Sequence, residues 1–181
     1  MTNNNYVQVL NAFDRIEQNI GALLITNRDV FKLLYFEDPN VDPYDMEIDD
    51  EIIEDMLTQY TDNRKINGNC RVFFEPFVSE PETLQRAQIR IFPMEVNPVD
   101  IYEATIYIQV DIIVSLAVNK YKSGRRMNAL TSEVIKALNG QEIGLLHELE
   151  LLDQPLRLFQ FKSDYWGYSL FLRTGIACNG I

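Results

Sequence analysis

Between residues 101 and 140 the apolar period switches from two to the helical spacing, and nothing else in the chain constrains the fold as much. Ile106, Ile108, Val110, Ile112 and Val114 alternate with Tyr107, Gln109 and Asp111. A period of two in β-branched residues specifies a strand with one face in a core. Ile113 breaks the polar side, so the far end of this strand is expected to be covered on both faces or paired with another subunit. Beyond a basic turn (Lys120, Lys122, Arg125, Arg126), Met127, Leu130, Val134, Ala137 and Leu138 recur at helical spacing, and Asn139-Gly140 is a stop signal. A strand, a turn and an amphipathic helix therefore form the centre of the chain.

The flanking segments fit around that unit. Tyr6, Leu10, Phe13, Ile16, Ile20 and Leu24 stripe a helix over residues 3–24, with Gly21 weakening its end. Asn27 is placed to cap a second helix through Phe36, with Val30, Phe31, Leu34 and Tyr35 inward, and Pro39 forbids continuation. Asp49 is placed to cap a third, with Ile52, Ile53, Met56, Leu57 and Tyr60 buried. Residues 71–78 and 86–96 read as strands; in the second, Ala87, Ile89 and Ile91 oppose Gln88, Arg90 and Phe92. Residues 141–152 fit a strand or a short helix. Residues 156–161 and 168–174 read as a hairpin around the loop 162–167, whose Trp166 is either a core lid or an interface anchor. The order predicts an α+β fold: a mixed, mostly antiparallel sheet with helices packed on one face. The 181 residues fit a single domain, 1–181, with a helical part at 1–66 carrying an acidic insertion at 37–60, and a sheet with its central helix at 70–181.

Charge is concentrated in one place. Ten acids and no Lys or Arg lie between Glu37 and Asp55; the net charge of −11 becomes −1 when those ten are set aside. Such a chain repels nucleic acid rather than gripping it, though DNA can still slide past. No apolar run reaches membrane-spanning length, and the N-terminus lacks the pattern of a secretory leader. Cys70 and Cys178 are too few for a disulfide framework, and a reducing compartment is expected, with a single bridge between them left open.

The motifs that carry catalysis are missing from the sequence: it has no G-x-S-x-G, Walker A or G-x-G-x-x-G pattern. His147 is the only histidine, so a metal site on paired histidines is ruled out, and no nucleophile motif flanks it. It is expected to be structural, and the chain not to be an enzyme or to need a cofactor. Asp38, Asn40, Asp42 and Asp49 match positions 1, 3, 5 and 12 of a calcium loop, but Pro43 stands where glycine is needed and Asp49 where a bidentate Glu belongs. They are a weak calcium candidate beside the reading of a solvated acidic loop. Lys122, Arg125 and Arg126 are complementary to Asp45, Asp49 and Asp50, which suggests a head-to-tail contact between identical subunits.

The stretch IYIQVDIIVSLAVNKYKSGRRMNALTSEVIKALNG, with its I-x-V-D-I-I-V strand, arginines entering a helix and Leu-Asn-Gly ending, resembles tail terminator and neck proteins of tailed bacteriophages. The closing hairpin QPLRLFQFKSDYWGYSLFLRTGI is similar in arrangement to their last strands. The acidic residues 37–60 have no counterpart in that resemblance. It implies a tail-terminator-like fold and a structural protein of the virion, assembled in the host cytoplasm. Such a protein forms a six-membered ring that caps the tail tube and docks to the head connector, with DNA passing through unbound. Another head–tail joining or minor tail protein is the nearest alternative, and an acidic calcium-responsive binding module is the alternative from a different class.

Overall fold

The computed structural model describes residues 3–61, 65–75, 86–100, 103–143, 147–154 and 156–177. Among these residues four α-helices and eight strands follow in order, with a short 3-10 turn at Pro43–Asp45: α1 (Asn3–Thr26), α2 (Arg28–Tyr35), α3 (Asp50–Leu57), β1 (Val72–Phe73), β2 (Ala87–Pro98), β3 (Glu103–Ser115), β4 (Lys120–Tyr121), β5 (Gly124–Arg125), α4 (Arg126–Leu138), β6 (Glu150–Leu151), β7 (Arg157–Lys162) and β8 (Tyr165–Ala177). The main sheet runs β1-β2-β3-β8-β6, with β7 also on β8; the β1–β2 pair is parallel and all the others are antiparallel. The expected α+β class holds, with a mixed, mostly antiparallel sheet.

β3 lies at the centre because its sequence suits both neighbours. Ile106, Ile108, Val110, Ile112 and Val114 are fully or almost fully buried, while Tyr107, Gln109 and Asp111 are only half-buried. Each such aliphatic chain contributes about 1.5–3 kcal/mol on burial. Their face is shared by Ala87, Ile89 and Ile91 of β2 and by Leu170, Leu172 and Ile176 of β8, and receives Ile16, Ile20 and Leu24 of α1, Val30, Phe31 and Leu34 of α2, and Leu130, Val134 and Leu138 of α4 in one continuous core. From Ile112 to Ser115 the strand is covered on both faces, as Ile113 implied.

Several local expectations are corrected. α1 runs past the expected Leu24 to Thr26, and a Cβ at Gly21 would meet Phe74 at an ordinary 3.6 Å. Tyr6 and Leu10 lie outside the described side chains. Tyr35 is 44% exposed and Leu33 takes the inward position; Tyr60, beyond α3, is 48% exposed. The strand expected over 71–78 is two residues long in the described part. Gln88 and Arg90, expected to be outward, are buried, because this end of the second sheet face is also covered, with the Phe161 ring 4.6 Å from the Arg90 guanidinium. The last hairpin is tighter than expected, with Lys162 paired to Tyr165 across Ser163-Asp164. Trp166 packs on the main core. α4 stops as predicted: Gly140 adopts a left-handed φ of 74°, which glycine alone accepts without strain, and its N–H reaches the Leu149 carbonyl at 2.7 Å.

Candidate assembly surface

The basic turn is a small hairpin. β4 and β5 pair Lys120 with Arg125 and Tyr121 with Gly124 across the Lys122-Ser123 tip. The alternation of a strand sends Tyr121 inward, 6% exposed, and Lys120, Lys122 and Arg125 outward. Gly124 gives the tyrosine room, since a Cβ there would stand 3.3 Å from its hydroxyl. A groove of about 600 Å³ runs along the outer side, between the three cations, Leu116 and Asn119.

Arg126 is not part of that surface. It was expected at a subunit contact beside Lys122 and Arg125, yet it is 0% exposed. Its Nε donates to the Val118 carbonyl at 2.8 Å, Nη2 to Phe36 at 2.6 Å, and Nη1 to Leu33. The guanidinium thus ties the end of α2 and the 115–119 turn to the start of α4, and burial pushes its pKa down. α4 itself is capped from Asn119, whose carbonyl accepts the Arg126 N–H at 2.6 Å and whose Oδ1 accepts that of Met127 at 3.1 Å.

The acidic segment is stitched to the same neighbourhood. Asp38 closes a turn on the Asn40 N–H at 2.8 Å, and Asp42 accepts from the Tyr44 N–H at 3.2 Å and from the Ser123 hydroxyl at the hairpin tip. The Val41 carbonyl accepts the Lys122 N–H at 3.4 Å. Behind it, Glu133 is buried; its carboxylate accepts from Lys136 at 2.7 Å, from Asn27 at 3.1 Å and from the Tyr44 hydroxyl at 3.4 Å. Burial opposes its charge, but those donors prevail and hold its pKa below the usual range. Asn27 spends its side chain there rather than capping α2. Asp49 does precede α3, again without a side-chain cap. Asp50 pairs with Arg28. Asp45, Glu47, Asp49, Glu51 and Glu54 face outward. Asp38, Asn40 and Asp42 are engaged in turns, and among the described residues no three His, Cys, Asp or Glu side chains gather as a metal site.

Neither remaining reactive side chain joins this surface. Cys70 is buried with Phe73, donates from Sγ to the Val72 carbonyl at 3.2 Å, and has its pKa pushed up to about 11 by burial. Cys178 lies outside the described residues. His147 is not core: its side chain is 62% exposed, with Nε2 2.8 Å from Glu103 Oε1 in a cleft of about 240 Å³ shared with Glu148, Glu150 and Arg173. Gly175 makes room for the ring, since a Cβ there would stand 2.2 Å from it.

The model of the YomW family matches residues 27–174, from the residue before α2 into the last residues of β8. The chain belongs to the YomW family. That family is phage-derived, which points to a phage-associated protein. The matched stretch spans the acidic residues 37–60. The chain matches none of the curated proteins compared with it. Among the described residues no helix is long and apolar enough to cross a membrane.

Proposed function

We propose that this YomW-family chain is a structural protein of the tailed-phage particle: a tail terminator that caps the tail tube, joins it to the head connector and works as a ring of identical subunits. The observation that carries the reading is the pair of open strand edges. Among the described residues, β2 has no outer partner beyond Arg90, and β7 has none at all on its outer side. Apolar side chains stand out along or just beyond both: Met94 of β2 and Val99 just after it are 54% and 61% exposed, Leu158 of β7 and Leu156 just before it 53% and 48%. Exposed apolar edges invite pairing, and a closed ring of copies satisfies them without leaving a free end. The phage-derived family and the resemblance of residues 106–140 to tail terminators support reading that ring as part of the tail. Net charge of −11 suits a channel through which DNA passes without sticking.

The test is light scattering and negative-stain imaging of the purified chain, together with mass spectrometry of particles of the phage that encodes it. A ring of six copies, and a handful of copies per particle, are expected. Absence from purified particles overturns the reading. Presence at the baseplate end of the tail, by antibody labelling, moves it to a minor tail protein.

A further inference from the structure

We infer that the groove on the β4–β5 hairpin receives the outward acidic side of α3 from a second copy of this chain. The inference rests on the self-assembly reading and names its contact. Lys120, Lys122 and Arg125 are exposed along one groove, and none of them has an ion-pair partner among the described residues. Elsewhere Arg28 meets Asp50, Lys32 meets Asp29, Lys136 meets Glu133 and Arg173 meets Glu150; Lys65 and Arg157 are also exposed without an ion pair among the described residues, but neither lines this groove. On α3, Glu51 and Glu54 are three residues apart and so share a side of the helix. They are exposed, as is Asp49 before them, and like the cations they have no ion-pair partner among the described residues.

Within one chain these two sets are not paired with each other among the described residues. The hairpin tip is instead bonded to the loop before α3, through Ser123 to Asp42 and the Lys122 N–H to the Val41 carbonyl. The surplus positive and negative patches are different surfaces of one molecule, so their contact is heterologous and repeats around a ring. Leu116, 52% exposed, gives the groove an apolar flank suited to a helix side. Nucleic acid is a poor occupant, because the three cations sit beside Asp42 on a chain of net charge −11.

Two charge-reversed forms test this, K122E/R125E and E51K/E54K, each checked for an unchanged circular-dichroism spectrum and melting temperature. All four positions are exposed, so both forms are expected to fold. The wild type should associate in low salt and fall towards monomer as salt screens the contact. Each reversed form alone should stay monomeric, and an equimolar mixture should recover the wild-type mass through alternating subunits. Association of both forms like the wild type overturns the inference but leaves the virion reading standing. So does failure of the mixture to recover. A wild type that stays monomeric in low salt also overturns it, and K122E/R125E then missing from particles would assign the groove to an acidic partner of another sequence. Absence of the wild type itself from particles strikes the virion reading separately.

Discussion

Two buried arginines solve the same problem in opposite ways. Arg126 spends all three guanidinium nitrogens on backbone carbonyls, those of Val118, Leu33 and Phe36. Arg86 is as deeply buried, at 1% exposure, but its Nη1 donates to the Gly68 carbonyl at 2.5 Å while Nε and Nη2 have no hydrogen-bond partner among the described residues. Burial, with the nearby Arg71 charge, presses the Arg86 pKa down to about 10. A buried charge stabilises a fold when it satisfies groups that would otherwise be orphaned, and costs free energy when it is only partly satisfied. Arg126 does the first at a junction of three segments. Arg86 comes closer to the second.

Replacing Arg126 by Met should therefore have the largest effect, because it strands three carbonyls. A loss of about 3–5 kcal/mol in urea unfolding is expected. It also means that an R126E variant cannot report on subunit contacts, since it breaks the subunit first. Asn119→Ala, which removes only the Oδ1 cap on α4, should cost about 0.5–2 kcal/mol in the same assay. Arg86→Met should change stability by less than about 1 kcal/mol in either direction, because the lost Gly68 bond and the Phe73 face at 6.0 Å are offset by relief of desolvation. A loss as large as that of R126M would erase the distinction between the two sites.

Half of this contrast was legible in the sequence. Arg126 is four residues before Leu130 and eight before Val134, so it lies on the apolar stripe of α4, whereas Arg125 does not. Glu133, one turn below Leu130, obeys the same spacing and is buried for the same reason. Reading the basic turn as one exposed cluster overrode that periodicity. Arg86 and Arg90 carried no such signal. They alternate with Ala87, Ile89 and Ile91 as outward residues should, and are buried because a second layer covers this end of the sheet, including Phe161 from a strand about 70 residues later. The central strand and α4 were readable because their partners only had to be apolar. The hairpin groove was not, because it depends on Tyr121 turning inward over Gly124 and leaving Lys120, Lys122 and Arg125 outside.

Glu37 joins the two arginine sites and gives the smallest and most discriminating measurement. Its Oε1 accepts the Ala87 N–H at 3.2 Å, and the charges of Arg71, Arg126 and Arg86 all act on it. Burial nevertheless outweighs them and raises its pKa above the ordinary 4.5. A raised carboxyl binds its proton more tightly folded than unfolded, so its contribution is complete below about 4.5 and is lost as pH rises through the folded value. The stability of the wild type relative to Glu37→Gln should therefore decline from about pH 4 towards neutrality and then level off, measured by urea unfolding at each pH. The opposite slope, with the wild type gaining on E37Q as pH rises, would mean that the arginine charges win over burial. Arg86 would then be compensated through Glu37 much as Arg126 is through carbonyls, and R86M should in that case prove costly as well.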